Sequence, residues 1–340
     1  MTNKEKIMSE VLQEQAYWLL LTFESGLPTR IINDILVAWC KQLGRTLQEF
    51  FAASSQEWSD TCHLNAAMIE KLERAREKLV GQAFLVEQLS HDHIHLLTVL
   101  DAAYPTLLKS SLNRNQIPPV LCYAGDLDIL KRQTIAIIGS RNAGETSLAF
   151  TQAVAQYLAE HGANVISGNA RGVDRAAYEG ATSTDGYTTV VLPHGIRKLS
   201  GVQMRSLVPK IEAGRVLLMS QFHPDAPWVV SRAMERNKVV TGLAQVVIVA
   251  EADTKGGTWE GANGALKQGR RLYVRQAAPS QSLEGNETLI KRGGHPLPWP
   301  TENIADILSP LLQESAALQH KQSETPARSE QLSLFATSNE

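Results

Sequence analysis

Between Thr134 and Arg275 the sequence alternates six short β-rich runs, TIAII, ANVIS, TTVVLP, RVLLMS, VVIVA and RLYVR, with stretches of helical period. Nothing else in the chain restricts the fold so strongly. Short runs of this composition joined through helices imply a parallel sheet covered on both faces, because a parallel crossover is too long for a hairpin. The chain is therefore expected to be an α/β protein with a doubly wound parallel sheet, its ligands bound beyond the carboxyl ends of the strands. The loops at those ends are where function should reside.

Apolar residues at helical spacing fill residues 1–90, as in IINDILVAWCKQLG and NAAMIEKLERAREKLVGQAFLVEQL, with breaks at SGLP and SSQEW. This spacing predicts a small all-helical N-terminal domain. Residues 91–130, with paired prolines in LNRNQIPPVLCYAGDLDIL, read as a connector that ends in an extended segment. The sheet domain is expected over 131–300, a C-terminal helix over 301–318, and a polar, flexible tail over 319–340. HDHIH puts His91, His93 and His95 on one side of a short strand without a cysteine or carboxylate at ligand spacing. An edge strand is the reading there, and no metal is expected.

Composition narrows the class further. A chain of 340 residues, 43% of them hydrophobic, can bury a large core. Its longest apolar runs, such as AYWLLLTF, fall far short of the roughly 20 residues that a membrane helix requires. The start, MTNKEKIMSEVLQEQ, lacks the basic-then-apolar order of a secretory signal, so a cytoplasmic protein with no membrane partner is expected. Cys40, Cys62 and Cys122 are odd in number and lack CxxC spacing, which suits buried, reduced thiols. The formal net charge of −2 hides an asymmetry: residues 131–292 carry 20 Lys and Arg against 13 Asp and Glu, whereas the flanks carry 13 against 22. A basic middle between acidic flanks points to an anionic partner for the middle alone.

The loops place those cations. TIAIIGSRNAGET follows the phosphate-loop spacing from Gly139, but Glu145 stands where that motif needs its lysine. A carboxylate there would repel terminal phosphates, so ATP hydrolysis is not expected. The first loop offers Gly139, Ser140, Arg141 and Asn142, its amides pointing at whatever sits on the following helix N-terminus. After ANVIS the second loop repeats the arrangement with Ser167, Gly168, Arg171 and Gly172, and Asp174 as helix N-cap. SRAMERNKVV brings Arg232, Arg236, Asn237 and Lys238 before the strand VVIVA, and EADTKGGTWEG puts Lys255, Gly256, Gly257 and Thr258 at another strand-to-helix turn. Glycine lets a backbone approach a phosphate closely and a neighbouring cation neutralises it, so four such loops at one sheet edge suit an ester of phosphate.

The stretches YPTLLKSSLNRNQIPPVLCYAGDLDIL, IAIIGSRNAG, SGNARGVDRAAYEGA, RNKVVTGLAQVVIVAEA and GGTWEGANGALKQGRRLYV resemble, in order and spacing, the successive motifs of the DNA-processing protein A family, DprA or Smf. The resemblance covers about Tyr104 to Arg275. It implies an extended Rossmann-like domain that binds single-stranded DNA through the loop residues named above, forms a homodimer, and helps to load a RecA-type recombinase. No cofactor is implied, and the first loop needs no lysine because no phosphoryl group is transferred. Three positions depart from the family's pattern. Ala233 stands where the family usually has an aromatic residue, Arg171 where it has lysine, and GGTWEG where it more often has SGS and small residues. Base stacking contributes roughly 1–3 kcal/mol per base, so Trp228 or Trp259 would have to replace the missing aromatic.

The GGTWEG turn opens an alternative from a different class. It resembles a compressed version of the glycine-glycine-threonine turn of the lonely-guy phosphoribohydrolases, which would make Glu260 a catalytic carboxylate in N-glycosidic cleavage. At the other end of the chain, Gln331, Leu332, Leu334 and Phe335 in QLSLF resemble the pentapeptide with which bacterial replication and repair proteins bind the sliding clamp. The family's frequent C-terminal winged helix is not expected here.

Overall fold

In the computed structural model, residues 3–168, 170–278 and 282–324 are described. The candidate clamp motif, Gln331 to Phe335, lies outside them. Residues 3–91 form a series of helices, from Asn3–Leu19 through Leu79–His91. Local chemistry sets their ends: Thr46 and Glu49 form a reciprocal capping box at Leu47–Ala52, and Asn65 accepts from the Met68 amide at the start of Ala66–Arg76. Their apolar faces bury Trp39, Phe50 and Trp58 completely, or within 1%. This core runs on into that of the sheet. Asn33 fixes the junction by donating from its side chain to the carbonyls of Arg114 (2.7 Å) and Ile117 (3.0 Å).

Among the described residues nine strands form one sheet: β1 (His95–Thr98), β2 (Val120–Ala124), β3 (Thr134–Ile138), β4 (Asn164–Ser167), β5 (Tyr187–Val191), β6 (Val216–Ser220), β7 (Val246–Val249), β8 (Arg271–Gln276) and β9 (His295–Pro298). Their order is β1-β2-β6-β5-β4-β3-β7-β8-β9. From β6 to β9 all pairings are parallel, while β1 and β2 join antiparallel. All six strands read from the alternating runs are present. Residues 91–130 are more than a connector, since they supply β1 and β2. HDHIH ends in the edge strand β1, although His91 closes the preceding helix instead of sharing that strand.

Successive side chains of the central strands feed opposite cores. Ile135 and Ile137 of β3, with Val246 and Ile248 of β7, pack under the helices Glu145–Glu160, Val173–Thr182 and Ile304–Glu324. Ala136 and Ile138, with Val247 and Val249, face the other layer, which includes Val239 and Val240 of Val230–Gly242 and Ala262 of Gly257–Lys267. Burial on both faces is why these strands read as continuous apolar runs. Two elements after Gln276 depart from the sequence reading, the helix Glu284–Lys291 and the strand β9. HPLP is tolerated as a strand because β9 is the sheet edge, where proline's missing N–H breaks no ladder, and only Leu297 of its four residues is buried.

Candidate nucleic-acid interface

The strand order reverses at β3: the chain moves from β3 to β4 on one side and later returns to β7 on the other. The loops after β3 and β7 therefore splay to opposite faces and leave a crevice between them. An open cavity of about 360 Å3 lies there, lined by Gly139, Ser140 and Arg141 after β3, Gly168 after β4, and Asp253, Lys255, Gly256, Gly257 and Thr258 after β7. Arg236 and Asn237 of Val230–Gly242 complete its wall. A second cavity of about 230 Å3 shares Arg141 and Gly168 with it and adds Arg171, His194 and Trp228.

Glycine is required where the loops meet. Gly172 has φ +82°, and a Cβ on it would sit 2.4 Å from the Ser140 carbonyl oxygen. A Cβ on Gly139 would meet Val173 Cγ2 at 2.5 Å. The first two loops are thus pressed together, and Arg171 strengthens the contact by donating to the Arg141 carbonyl (3.3 Å) and to the Asn142 side chain.

The helix N-terminus after β3 is not available to a phosphate. The Glu251 carboxylate occupies it, accepting from the Gly144 amide (3.1 Å) and the Ser147 hydroxyl, while the Glu251 carbonyl accepts from the Ser140 amide (2.9 Å). The Asn142 amide is also engaged, with Ser140 Oγ at 3.1 Å. The first loop therefore offers an incoming anion the Arg141 side chain more than its amides. Glu251 escaped the sequence reading because its role depends on β7 lying beside β3. By contrast, the helix Gly257–Lys267 begins at Gly256 (φ +90°) with no side-chain cap and opens on the cavity. The partial positive charge at such a helix start suits an anion, and exposed Lys255 stands next to it.

Four other expectations change. Arg236 is 2% exposed: it donates to the Val191 carbonyl at 2.7 Å and pairs with Asp174 at 3.4 Å. It shapes the wall from within and is not presented to solvent. Asp174 is not the N-cap, a position held by Gly172; its carboxylate lies in the first turn, accepting from the Ala170 amide (3.4 Å), and burial raises its pKa against the pull of Arg236. Ser167 is fully buried at the end of β4. Lys238 and Glu260 face a different cavity, on the far side of Asn237.

The helical phase could have identified Arg236, since it falls with Ala233 and Val240 on one stripe while Lys238 falls off it. Asn286 was missed as well. Its side chain accepts from the Ala252 amide (2.8 Å) and donates to the carbonyls of Ala250 (3.2 Å) and Arg275 (2.8 Å), fixing the backbone that leads into Asp253 and Lys255. Trp228 is 49% exposed, with the Arg141 guanidinium 5.7 Å from its ring centroid. Trp259 instead packs against the core with Arg292 over its ring at 4.8 Å.

Residues 95–311 match the model of the family described as DNA recombination-mediator protein A. The chain belongs to that family. The description is that of a recombination mediator and not of an enzyme. Protein Smf of Synechocystis is 27% identical over 307 residues, covering 88% of this chain and 75% of its own. DNA processing protein DprA of Streptococcus pneumoniae is 30% identical over 188 residues, covering 55% and 64%. The solved structure of the pneumococcal protein superposes with a TM-score of 0.66 at 24% identity, covering 83% of this chain and 94% of that one, and shows the shared fold. DNA processing protein A from Helicobacter pylori, whose structure addresses its single-stranded DNA binding mode, matches with a TM-score of 0.54 at 27% identity, covering 65% and 96%. Among the described residues no helix is long and apolar enough to cross a membrane, and no group of side chains could hold a metal ion.

Proposed function

We propose that the switch-point crevice binds single-stranded DNA, with backbone phosphates on Arg141, Lys255 and the start of Gly257–Lys267, and with Arg171 extending the track beside Trp228. The observation that carries this reading is the convergence of three glycine-containing loops, each with an exposed cation, on two cavities that share Arg141 and Gly168. Asp253 lines the same space, and Asp174 is offset by Arg236, so the uncompensated charge there is modestly positive. The half-exposed Trp228 gives a reason for single strands in particular: a stacking surface serves an unpaired base and not one within a duplex. The single-strand subject of the Helicobacter pylori structure supports the reading.

Fluorescence anisotropy with labelled single and double strands tests it. Arg141→Ala and Arg171→Ala should each weaken binding to all sequences alike and reduce the logarithmic salt slope by roughly 0.7. Unchanged affinity in both variants would refute the assignment.

Further parts of the proposal rest on resemblance. The bound strand is handed to a RecA-type recombinase, the protein works as a cytoplasmic homodimer, and QLSLF attaches it to the sliding clamp. Gln319 to Glu324 belong to the helix Ile304–Glu324 and not to the flexible tail expected from 319, so the tether before Gln331 is the six residues 325–330, which would reach about 13 Å on average if it behaves as a flexible chain. Changing Leu334 and Phe335 to alanine should abolish binding of a tail peptide to the clamp and spare strand binding by the whole protein. No binding of the unmodified peptide at high micromolar concentration would retire the clamp.

A further inference from the structure

The helix Val230–Gly242 has a second cavity on its far side, about 480 Å3, between the Ser110–Gln116 segment and the helix Gly257–Lys267. It adjoins the switch-point crevice, with Met234 and Asn237 lining both. Its chemistry is unlike that of an ordinary gap between helices. The side-chain amides of Asn113, Gln116, Asn237 and Gln268 surround it, each both donor and acceptor, and Gln268 Oε1 is buried without a partner among the described residues. The charged groups facing it are Lys238, Lys267 and Glu260.

The floor is equally unusual. Glycine inside a helix costs about 1 kcal/mol relative to alanine. At Gly257 an added Cβ would press on Asn237 Nδ2 at 3.2 Å, whereas at Gly261 it would make only ordinary contacts, 3.7 Å to Ile138 Cδ1 and 3.8 Å to Asn237 Cβ. At Gly264 a Cβ would meet nothing within 4 Å. The rear wall is fixed, because Arg270 donates to the Leu107 carbonyl (3.0 Å) and Ser111 Oγ (2.6 Å), and Ser111 Oγ donates to the Gly242 carbonyl (3.0 Å).

We propose that this groove is a second nucleotide subsite on the same strand, entered over Met234, with a base among the amides and its phosphate between Lys238 and Lys267. The proposal rests on the single-strand reading of the switch-point crevice. Glu260 then accepts from an exocyclic amine of the base, as a carboxylate does from cytosine, and has no catalytic part.

The test compares oligothymidylate and oligocytidylate of about 4 and about 12 nucleotides, bound to the full-length protein. Gly264→Leu fills the groove where space is open and gains helix propensity, so its thermal melt should match or exceed that of the wild type. It should weaken the longer oligonucleotide about ten-fold, ~1.4 kcal/mol, and leave the shorter one unchanged. Lys238→Ala, which only shortens a side chain and so does not depend on a larger one being accommodated, should lower the salt slope by about 0.7 for the longer strand only. Equal effects on both lengths, or none on either, overturn the subsite and leave the switch-point reading standing. A change in oligomeric mass with unchanged binding of the long strand overturns it in favour of a protein interface. If the wild type binds neither length, the single-strand reading fails and this one with it.

Discussion

Replacing Gly168 by alanine should destabilise the protein through a side chain 68 positions away in sequence. A Cβ at position 168 would lie 1.4 Å from Arg236 Nη1 and 2.0 Å from its Cζ, so the guanidinium has to leave its place. Arg236 is 2% exposed and donates at 2.7 Å to the Val191 carbonyl, and its partner Asp174 is 9% exposed. Displacing the cation leaves a buried carboxylate and a buried carbonyl unpaired, and breaking such a pair by loss of one partner costs about 3–5 kcal/mol. For a domain of this size that corresponds to a fall in Tm of roughly 10 °C. Circular dichroism melts and urea titrations at pH 7 measure it. The decisive comparison is Gly168→Ala in an Arg236→Met background. With the guanidinium gone, the added methyl group should cost under about 1 kcal/mol beyond Arg236→Met alone, because the two changes are coupled. Equal costs in both backgrounds, or a wild-type melt for Gly168→Ala, would refute the argument that this glycine exists to seat Arg236.

Three other outcomes are expected. Glu251→Gln should cost about 1–2 kcal/mol, by weakening its contacts to the Gly144 amide and Ser147 and removing a negative charge from a helix start, without loss of affinity for single strands; a loss of affinity would make Glu251 part of the ligand site. Burial raises Cys40 and Cys122 to about 12 and Cys62 to about 11, so all three should react slowly with a disulfide reagent at pH 8 in the native state and readily in denaturant. Unfolded thiols ionise near 9.0 while the folded ones stay protonated, so these groups contribute a loss of stability as pH rises above about 9. Asp174 is raised above its usual 3.8 by burial; the native state holds its proton longer, and stability should decline as pH rises through that window, a slope that Asp174→Asn should flatten.

The six alternating strands and their parallel packing were legible because burial on both faces leaves an unbroken apolar run, which is a local property of TIAII or VVIVA. The same is true of the glycines that follow β3 and β4, Gly139 and Gly168, which stand directly at the ends of those runs. HPLP was not legible as a strand, since only Leu297 of the four is buried and an edge strand pairs on one side alone, which tolerates prolines that the interior of a sheet would not.

Sequence alone set the inventory of this site: which loops carry glycine, which carry cations, and that the phosphate-loop lysine is replaced by Glu145. Tertiary structure decided their parts. Arg236 reads as a free cation beside a glycine loop, but the phase of its helix turns it inward, where desolvation forces it onto Asp174 and Val191. Glu251 reads as the residue that ends a strand, but β7 lies against β3, and that adjacency delivers its carboxylate to the helix start that a phosphate would otherwise take. Lys238 and Arg236 are two residues apart and face different cavities, because successive helical side chains diverge by about 100°. A sequence fixes which groups are available; which of them meet is set by strand order and helix phase, through contacts between segments a hundred residues apart.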